Sequence, residues 1–185
     1  MRSAAVLILI VLIALALSGC GASVAEFTPA PVEGVLAAAA ELLPGEDSAA
    51  FTFTAPAGCE LRARVLRWDG EWLGCGEAAV FSAPDEGALV LSFDSVAGGF
   101  AASLTDAEGA VQARQRFVSD AAPRGEPRRA VYCTEGAELM PGGRFAAVIE
   151  YYGGPEGAAA DIADFERTDG LGRFDAVYAL VIELA

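Results

Sequence analysis

The chain has 185 residues, of which 54% are hydrophobic and 21% are charged, with 12 Lys and Arg against 26 Asp and Glu. The apolar content is sufficient for a packed core, which excludes a disordered acidic tail, and the length excludes a large multidomain enzyme. A formal charge of -14 opposes contact with a phosphate backbone, so we expect no nucleic-acid partner.

Three residue types are missing from the sequence: His, Lys and Asn. Without His, the chain cannot build a Ser-His-Asp triad, a Cys-His pair or a His-ligated zinc site. Without Lys, Schiff-base chemistry and a P-loop lysine are excluded. We therefore predict a protein that is not an enzyme, with no catalytic residue, no metal ligand and no cofactor. The alternative is an envelope enzyme or a calcium-dependent module that uses Asp and Glu.

The first twenty residues combine a positive amino terminus with an uncharged apolar run. Arg2 supplies the charge, residues 4–17 contain none, and the run ends in Leu17-Ser18-Gly19-Cys20. The run has the length of the apolar region of a secretory signal and falls short of the ~20 residues that a membrane-spanning helix needs. The segment is therefore predicted to direct export.

The ending of this run resembles the lipobox of bacterial lipoproteins, in which the signal is cut before the Cys and the thiol receives a diacylglyceryl group. The resemblance implies a signal peptide over residues 1–19 and a lipidated Cys20 that holds the chain on an extracytoplasmic membrane face. Gly21 stands where an Asp retains some Gram-negative lipoproteins at the inner membrane, so the outer face of the cell membrane and the outer membrane both remain open. An uncleaved transmembrane anchor is the alternative.

Residues 20–32 are predicted to be the lipidated Cys followed by a flexible tether. Pro29 and Pro31 favour an extended backbone in this segment. Because the body that follows is strongly acidic, an anionic membrane surface would repel it. We therefore expect the acyl chains, and not surface charge, to provide the attachment.

From residue 33 onward, short apolar or alternating runs are separated by turn residues. The runs are residues 49–54, 61–65, 89–93, 99–104, 111–118, 130–133, 145–152 and 177–184, and the turn dipeptides are Pro44-Gly45, Asp69-Gly70, Glu108-Gly109 and Pro141-Gly142. This pattern predicts an all-β domain over residues 33–185, an antiparallel β-sandwich of the immunoglobulin-like or jelly-roll-like kind. One short helix is possible at residues 35–43, and residues 120–129 form either an internal boundary or a long loop between the sheets.

Three further cysteines, Cys59, Cys75 and Cys133, follow the lipidation site. If Asp69-Gly70 is a two-residue hairpin turn, Cys59 and Cys75 lie several rungs apart, beyond the ~7 Å limit for a disulfide. Cys133 can still reach either one across a neighbouring strand. The disulfide state therefore stays open at this point.

Aromatic residues provide the only candidate ligand contacts. The same two-residue turn puts Trp68 and Trp72 on opposite faces of the hairpin, with Trp72 directed into the core. Trp68, Tyr151 and Tyr152 are then candidates for exposed rings that stack on a glycan or a partner protein, and ordinary cross-strand packing is the alternative. The acidic stretch at 161–170 does not have the spacing of an EF-hand and is expected to be a solvated loop.

Overall fold

The computed structural model of the chain describes residues 24–56, 58–120 and 125–185. Within them the chain forms twelve β-strands, two short α-helices and two 3₁₀ turns. The strands are β1 (Ala25–Ala30), β2 (Asp47–Thr54), β3 (Glu60–Trp68), β4 (Trp72–Gly74), β5 (Ala79–Ser82), β6 (Glu86–Phe93), β7 (Gly99–Asp106), β8 (Val111–Val118), β9 (Arg129–Tyr132), β10 (Ala137–Leu139), β11 (Arg144–Tyr152) and β12 (Ala176–Leu184). The helices are α1 (Val35–Glu41) and α2 (Asp164–Arg167), and the 3₁₀ turns span Val96–Gly98 and Leu171–Arg173.

The strands build two antiparallel sheets. Sheet 1 has the order β10-β1-β2-β6-β7-β8, and sheet 2 has the order β4-β3-β12-β11-β9, with β5 also paired to β3. The inner faces of the sheets share one apolar cluster, to which sheet 1 contributes Phe27, Phe51 and Leu91 and sheet 2 contributes Leu61 and Leu180. The predicted all-β antiparallel sandwich is thereby confirmed.

Both outer faces of the sandwich are also partly covered. Helix α1 lies on sheet 1, where Ala39 packs near Val90, and the segment from 153 to 175 lies on sheet 2, where Phe165 packs near Ile149. The central strands β6, β7, β11 and β12 are consequently buried on both sides, which accounts for their continuous apolar sequences. The helix proposed at 35–43 is present as α1, whereas α2 in the acidic stretch was not predicted.

The predicted tether is wrong for residues 25–30, which form strand β1. Ala25 and Phe27 are buried, and the strand pairs with β2 at Glu26–Ala30 and with β10 at Ala25–Phe27. Pro29 lies beyond the reach of β10, where β1 pairs with β2 alone among the described strands, so its missing N–H breaks no ladder bond on the other side. The alternation of buried and exposed residues in this segment is that of a β-strand, and its proline does not prevent strand formation.

The predicted hairpin register is also wrong. Trp68 pairs directly with Trp72, so residues 69–71 form a three-residue loop and not the two-residue turn expected from Asp69-Gly70. Because the loop is one residue longer than predicted, both Trp side chains lie on the outer face of sheet 2, next to Leu66, while Val65 faces the core. Trp72 is therefore not a core residue of the sandwich.

The segment between β8 and β9 joins sheet 1 to sheet 2, and its residues 121–124 lie outside the described ranges. In the shared core, the ring of Phe93 at the end of β6 stacks on the ring of Tyr132 at the end of β9, with 6.3 Å between the ring centroids. Among the described residues, no helix has the length and apolar character that a membrane crossing requires.

Among the described strands β5 pairs with β3 alone, and on its other side a glutamine side chain bridges the two sheets. Nε2 of Gln115, on β8, donates to the carbonyl oxygen of Val80 at 2.6 Å, and its Oε1 accepts from the Val80 N–H at 3.2 Å. The amide thereby satisfies the two backbone groups that a further strand would pair with.

We predict that Phe27→Ala destabilises the fold by about 3–5 kcal/mol, because it empties a buried aromatic site. The Phe27 ring lies 5.7 Å from that of Phe53 and 5.4 Å from that of Phe145. The exposed neighbour Thr28→Ala is the control and should change the free energy of unfolding by less than about 0.5 kcal/mol. Urea unfolding followed by tryptophan fluorescence measures both. A negligible effect of Phe27→Ala would restore the tether interpretation.

Candidate functional site

The predicted lipidation site Cys20 lies outside the described residues, and the two predicted tyrosines do not form an exposed platform. Tyr151 and Tyr152 have exposed fractions of 0% and 2%. The Tyr151 ring packs against Phe174 at 4.8 Å on the outer face of sheet 2, and the Tyr152 ring packs against Tyr178 at 5.5 Å in the core. The prediction that these rings stack on a ligand is wrong, because β11 is a central strand with cover on both sides.

Trp68, the third predicted ring, is half-buried in a structural cluster. Its ring lies 5.4 Å from that of Trp72, which in turn lies 5.1 Å from that of Phe165 in α2. The indole Nε1 of Trp72 donates to the carbonyl oxygen of Phe165 at 2.9 Å. These contacts hold α2 on sheet 2, so the pair acts in packing and does not present a free aromatic surface.

The acidic stretch is likewise occupied with internal contacts. Oδ2 of Asp164 lies 3.0 Å from the Tyr151 hydroxyl and accepts from the Asp161 N–H at 3.2 Å, while Oδ1 of Asp161 accepts from the Ala163 N–H at 3.0 Å. The Tyr151 hydroxyl also donates to the carbonyl oxygen of Asp161 at 2.9 Å. Within the described ranges, no group of three or more His, Cys, Asp or Glu residues is arranged to hold a metal ion.

Two arginines where β9 begins, Arg128 and Arg129, also make contacts within the fold. Arg128 donates to the carbonyl oxygen of Gly154 at 2.7 Å, and Arg129 donates to that of Ala158 at 2.8 Å. Both contacts fasten the segment that begins after β11. Part of the donor capacity of these two side chains is therefore used within the fold.

A buried carboxylate that sequence reasoning did not single out connects the two sheets. Glu150 lies in β11 and is 2% exposed. Its Oε2 accepts from the Tyr152 hydroxyl at 2.8 Å, from the Ser95 hydroxyl at 3.3 Å and from the Ala97 N–H at 3.3 Å. Ser95 and Ala97 belong to the connection between β6 and β7, so the carboxylate fastens a turn of sheet 1 to a strand of sheet 2.

Glu150 is unsuited to acid–base catalysis despite this set of contacts. A general acid or base must come within hydrogen-bonding reach of its substrate, and a carboxylate that is closed off between two sheets cannot do so. Its contacts serve instead to satisfy a polar group in the interior, where an unpaired donor would cost about 1–3 kcal/mol. The alternation of β11 places it inward, but no local sequence signal distinguishes it from an exposed strand Glu.

The three cysteines are free thiols and are half-buried. Burial raises the pKa of Cys59, Cys75 and Cys133, so their thiolate fractions at neutral pH are smaller than that of an ordinary thiol. Cys133 also donates from its Sγ to the carbonyl oxygen of Glu135 at 3.1 Å. Because the thiolate is the reactive form, these residues do not resemble activated nucleophiles.

A groove of about 440 Å³ lies on the outer face of sheet 1, beside α1. Its floor consists of side chains aligned across neighbouring strands. One row contains Glu26, Thr54 and Glu86, and the next contains Thr28, Thr52 and Ala88. The alternation of each strand points these side chains to the same face, but the alignment of the strands depends on register, which the sequence alone does not provide.

The walls of the groove come from α1 and from the turn between β7 and β8. Val35 and Leu36 form one wall, and residues 106–109 form the other. Gly109 has a φ of 82°, and a Cβ at this position would clash with Cγ1 of Val35. Glycine is therefore required twice over, for its backbone conformation and for the close approach of the turn to α1.

Chemically, the groove offers hydrogen-bond acceptors and hydroxyl groups next to a small apolar area. Asp106 is partly engaged, since its Oδ1 accepts from the Ala110 N–H at 2.8 Å. Glu26, Glu86 and Glu108 are exposed and line the groove. Such a surface suits a ligand that carries ammonium, guanidinium or hydroxyl groups.

No protein-family model, no curated protein and no solved structure matches the chain. The function of the chain is therefore inferred from its own residues and their geometry.

We predict that Tyr151 and Tyr152 ionise only well above the ordinary tyrosine range. Burial raises the pKa of both phenols, and the carboxylates of Asp164 and Glu150 raise it further. In the unfolded chain the same groups ionise near pH ~10. Above that pH the native state retains more protons than the unfolded state, so the free energy of unfolding falls as the pH rises.

Ultraviolet titration, together with urea unfolding at increasing pH, measures this effect. Tyr151→Phe and Tyr152→Phe serve as matched variants, because each removes one phenol while keeping the ring, and each should reduce the alkaline loss of stability. Ordinary ionisation of these two residues near pH ~10 in the folded protein would contradict their burial.

Proposed function

We propose that the chain is a lipid-anchored, extracytoplasmic module of a bacterial cell envelope that acts by binding a partner and not by catalysis. The observation that carries this proposal is the position of the lipobox-like Leu17-Ser18-Gly19-Cys20. It ends an uncharged apolar run and stands only five residues before Ala25, where β1 begins. The modification site is thus directly adjacent to a folded domain.

Lipid attachment provides the membrane affinity that the acidic protein surface does not. The acidic balance of the chain gives no electrostatic attraction to anionic lipids. A single acyl chain gives only marginal membrane binding, whereas a diacylglyceryl group provides two chains and a stable anchor. Membrane residence is therefore assigned to Cys20 and not to the sandwich.

Binding is favoured over catalysis by the chemistry of the available side chains. The sequence has no His and no Lys, and the pKa of each thiol after Cys20 is raised by burial. The buried carboxylate of Glu150 is closed to a substrate. The groove on sheet 1 is an open surface with fixed strands as its floor, a form that suits contact with another molecule.

The groove also indicates the kind of partner. Its exposed carboxylates, Glu26, Glu86 and Glu108, and its threonine hydroxyls favour a protein segment with basic or hydroxyl-bearing side chains. A glycan held by stacked aromatic rings is not part of the proposal, because Tyr151 and Tyr152 are buried. The partner assigned here is therefore a protein with a basic surface.

Cys20→Ala should abolish lipidation and cleavage before residue 20. The expected wild-type product begins at Cys20 and carries a diacylglyceryl adduct, as mass spectrometry of the purified native protein would show. The variant should lack the adduct and should still begin at Met1. Wild-type protein that begins at Met1 without an adduct would overturn the proposal, and retention of Met1 with firm membrane binding would support the uncleaved anchor.

Glu86→Arg should reduce partner contact at the groove by about tenfold, the effect of losing one charge-assisted contact. A photo-crosslinking residue at Thr52 in intact cells would measure the yield of crosslinked protein. Glu77→Arg is the matched control, because Glu77 is exposed, makes the same charge change and does not line the groove. Equal yields from the two variants, or no crosslinked protein from the wild type, would exclude the groove as the contact site.

A further inference from the structure

The strand register brings the start of β1 to one end of the sandwich. Ala25 pairs with Leu139, the last residue of β10, and Glu26 pairs with Thr54, the last residue of β2. The short connection from β10 to β11 links this end of sheet 1 to the same end of sheet 2. We call this the anchor end; it comprises Val24, Ala185 and the turns at residues 83–85, 107–110 and 140–143.

The opposite end of the sandwich lies a full strand length away. It comprises the turns at residues 69–71 and 94–98 and the segment at 153–155, and we call it the far end. Strand β11 has nine residues. At ~3.3 Å per residue, the two ends are separated by about 30 Å.

The chain between the lipidation site and the fold is too short to span that distance. Four residue steps separate Cys20 from Val24. Even a fully extended backbone covers at most ~3.6 Å per step, or about 14 Å in total. When the acyl chains of Cys20 lie in a bilayer, the anchor end must remain near the headgroups.

The side chains at the anchor end suit a position beside headgroups. Met140 is 61% exposed and Val24 is 40% exposed, so both present apolar surface next to the attachment point. Asp85 and Glu108 are also exposed at this end, and they require contact with water. Apolar and charged side chains side by side suit the hydrated headgroup layer, because the charged ones oppose insertion into hydrocarbon.

We infer that the sandwich stands with its anchor end against the lipid headgroups and presents its far end to the space beyond the membrane. This inference rests on the proposed lipidation of Cys20 and adds the orientation of the domain. The anchor end contacts the surface of a phospholipid bilayer, and the far-end turns are the part of the fold most distant from that surface. The groove on sheet 1 extends to the anchor end through Glu86 and Gly109, so its partner approaches close to the membrane.

Headgroup-quenching spectroscopy on the full-length lipidated protein tests this orientation. A fluorescent residue is introduced at Met140 or at Asp69, and the protein is reconstituted in phosphatidylcholine vesicles that contain a lipid with a nitroxide on its headgroup. We expect loss of most of the fluorescence from position 140 and no loss from position 69. Equal quenching at the two positions, or stronger quenching at position 69, overturns the orientation.

A lengthened linker provides the matched control. A Gly/Ser insertion of about 20 residues after Gly21 has an r.m.s. length of ~25 Å and should abolish the quenching at position 140 while vesicle binding persists. Persistent quenching in this variant would show that contacts of the anchor end itself keep the orientation, which supports the orientation and assigns its cause to the exposed side chains and not to the short chain.

The two proposals fail in different ways. If the chain is not lipidated, mass spectrometry finds no adduct on the wild-type protein, as in Cys20→Ala. If the chain is lipidated but the orientation is wrong, the adduct and vesicle binding are present while the quenching pattern is lost or reversed.

Discussion

The backbone pairing of β1 with β2 and β10 is the interaction on which the functional arrangement depends. It fixes Val24 at one end of the sandwich and leaves only four residue steps back to Cys20. A tether in place of β1 would let the domain turn freely above a membrane. With β1 in the sheet, the proposed attachment point at Cys20 and the inferred orientation of the domain follow from the same strand pairing.

The rest of the fold keeps that geometry rigid. Apolar side chains fill the space between the sheets, and the buried Glu150 carboxylate fastens the β6–β7 connection of sheet 1 to sheet 2 through Ser95 and Ala97. Because a buried carboxylate without donors would be strongly unfavourable, these contacts specify one arrangement of the turn.

Much of the fold was predictable from the sequence because strands and turns have local signals. The run at 111–118 coincides with β8, and the helix at 35–43 appears as α1. The failures arose where a non-local contact decided the outcome. The hairpin loop has three residues and not two, which moved Trp72 to the other face, and cover by the 153–175 segment buried Tyr151. The groove depends on register across several strands, which no single segment encodes.

The Gln115 amide that closes the free side of β5 has a consequence for contacts between molecules that carry the proposed anchor. Such molecules would share a membrane plane and would meet one another in a similar orientation. By occupying the backbone groups of Val80, Gln115 denies neighbouring copies one template for the growth of a sheet from molecule to molecule. One side chain thereby opposes edge-to-edge pairing at β5.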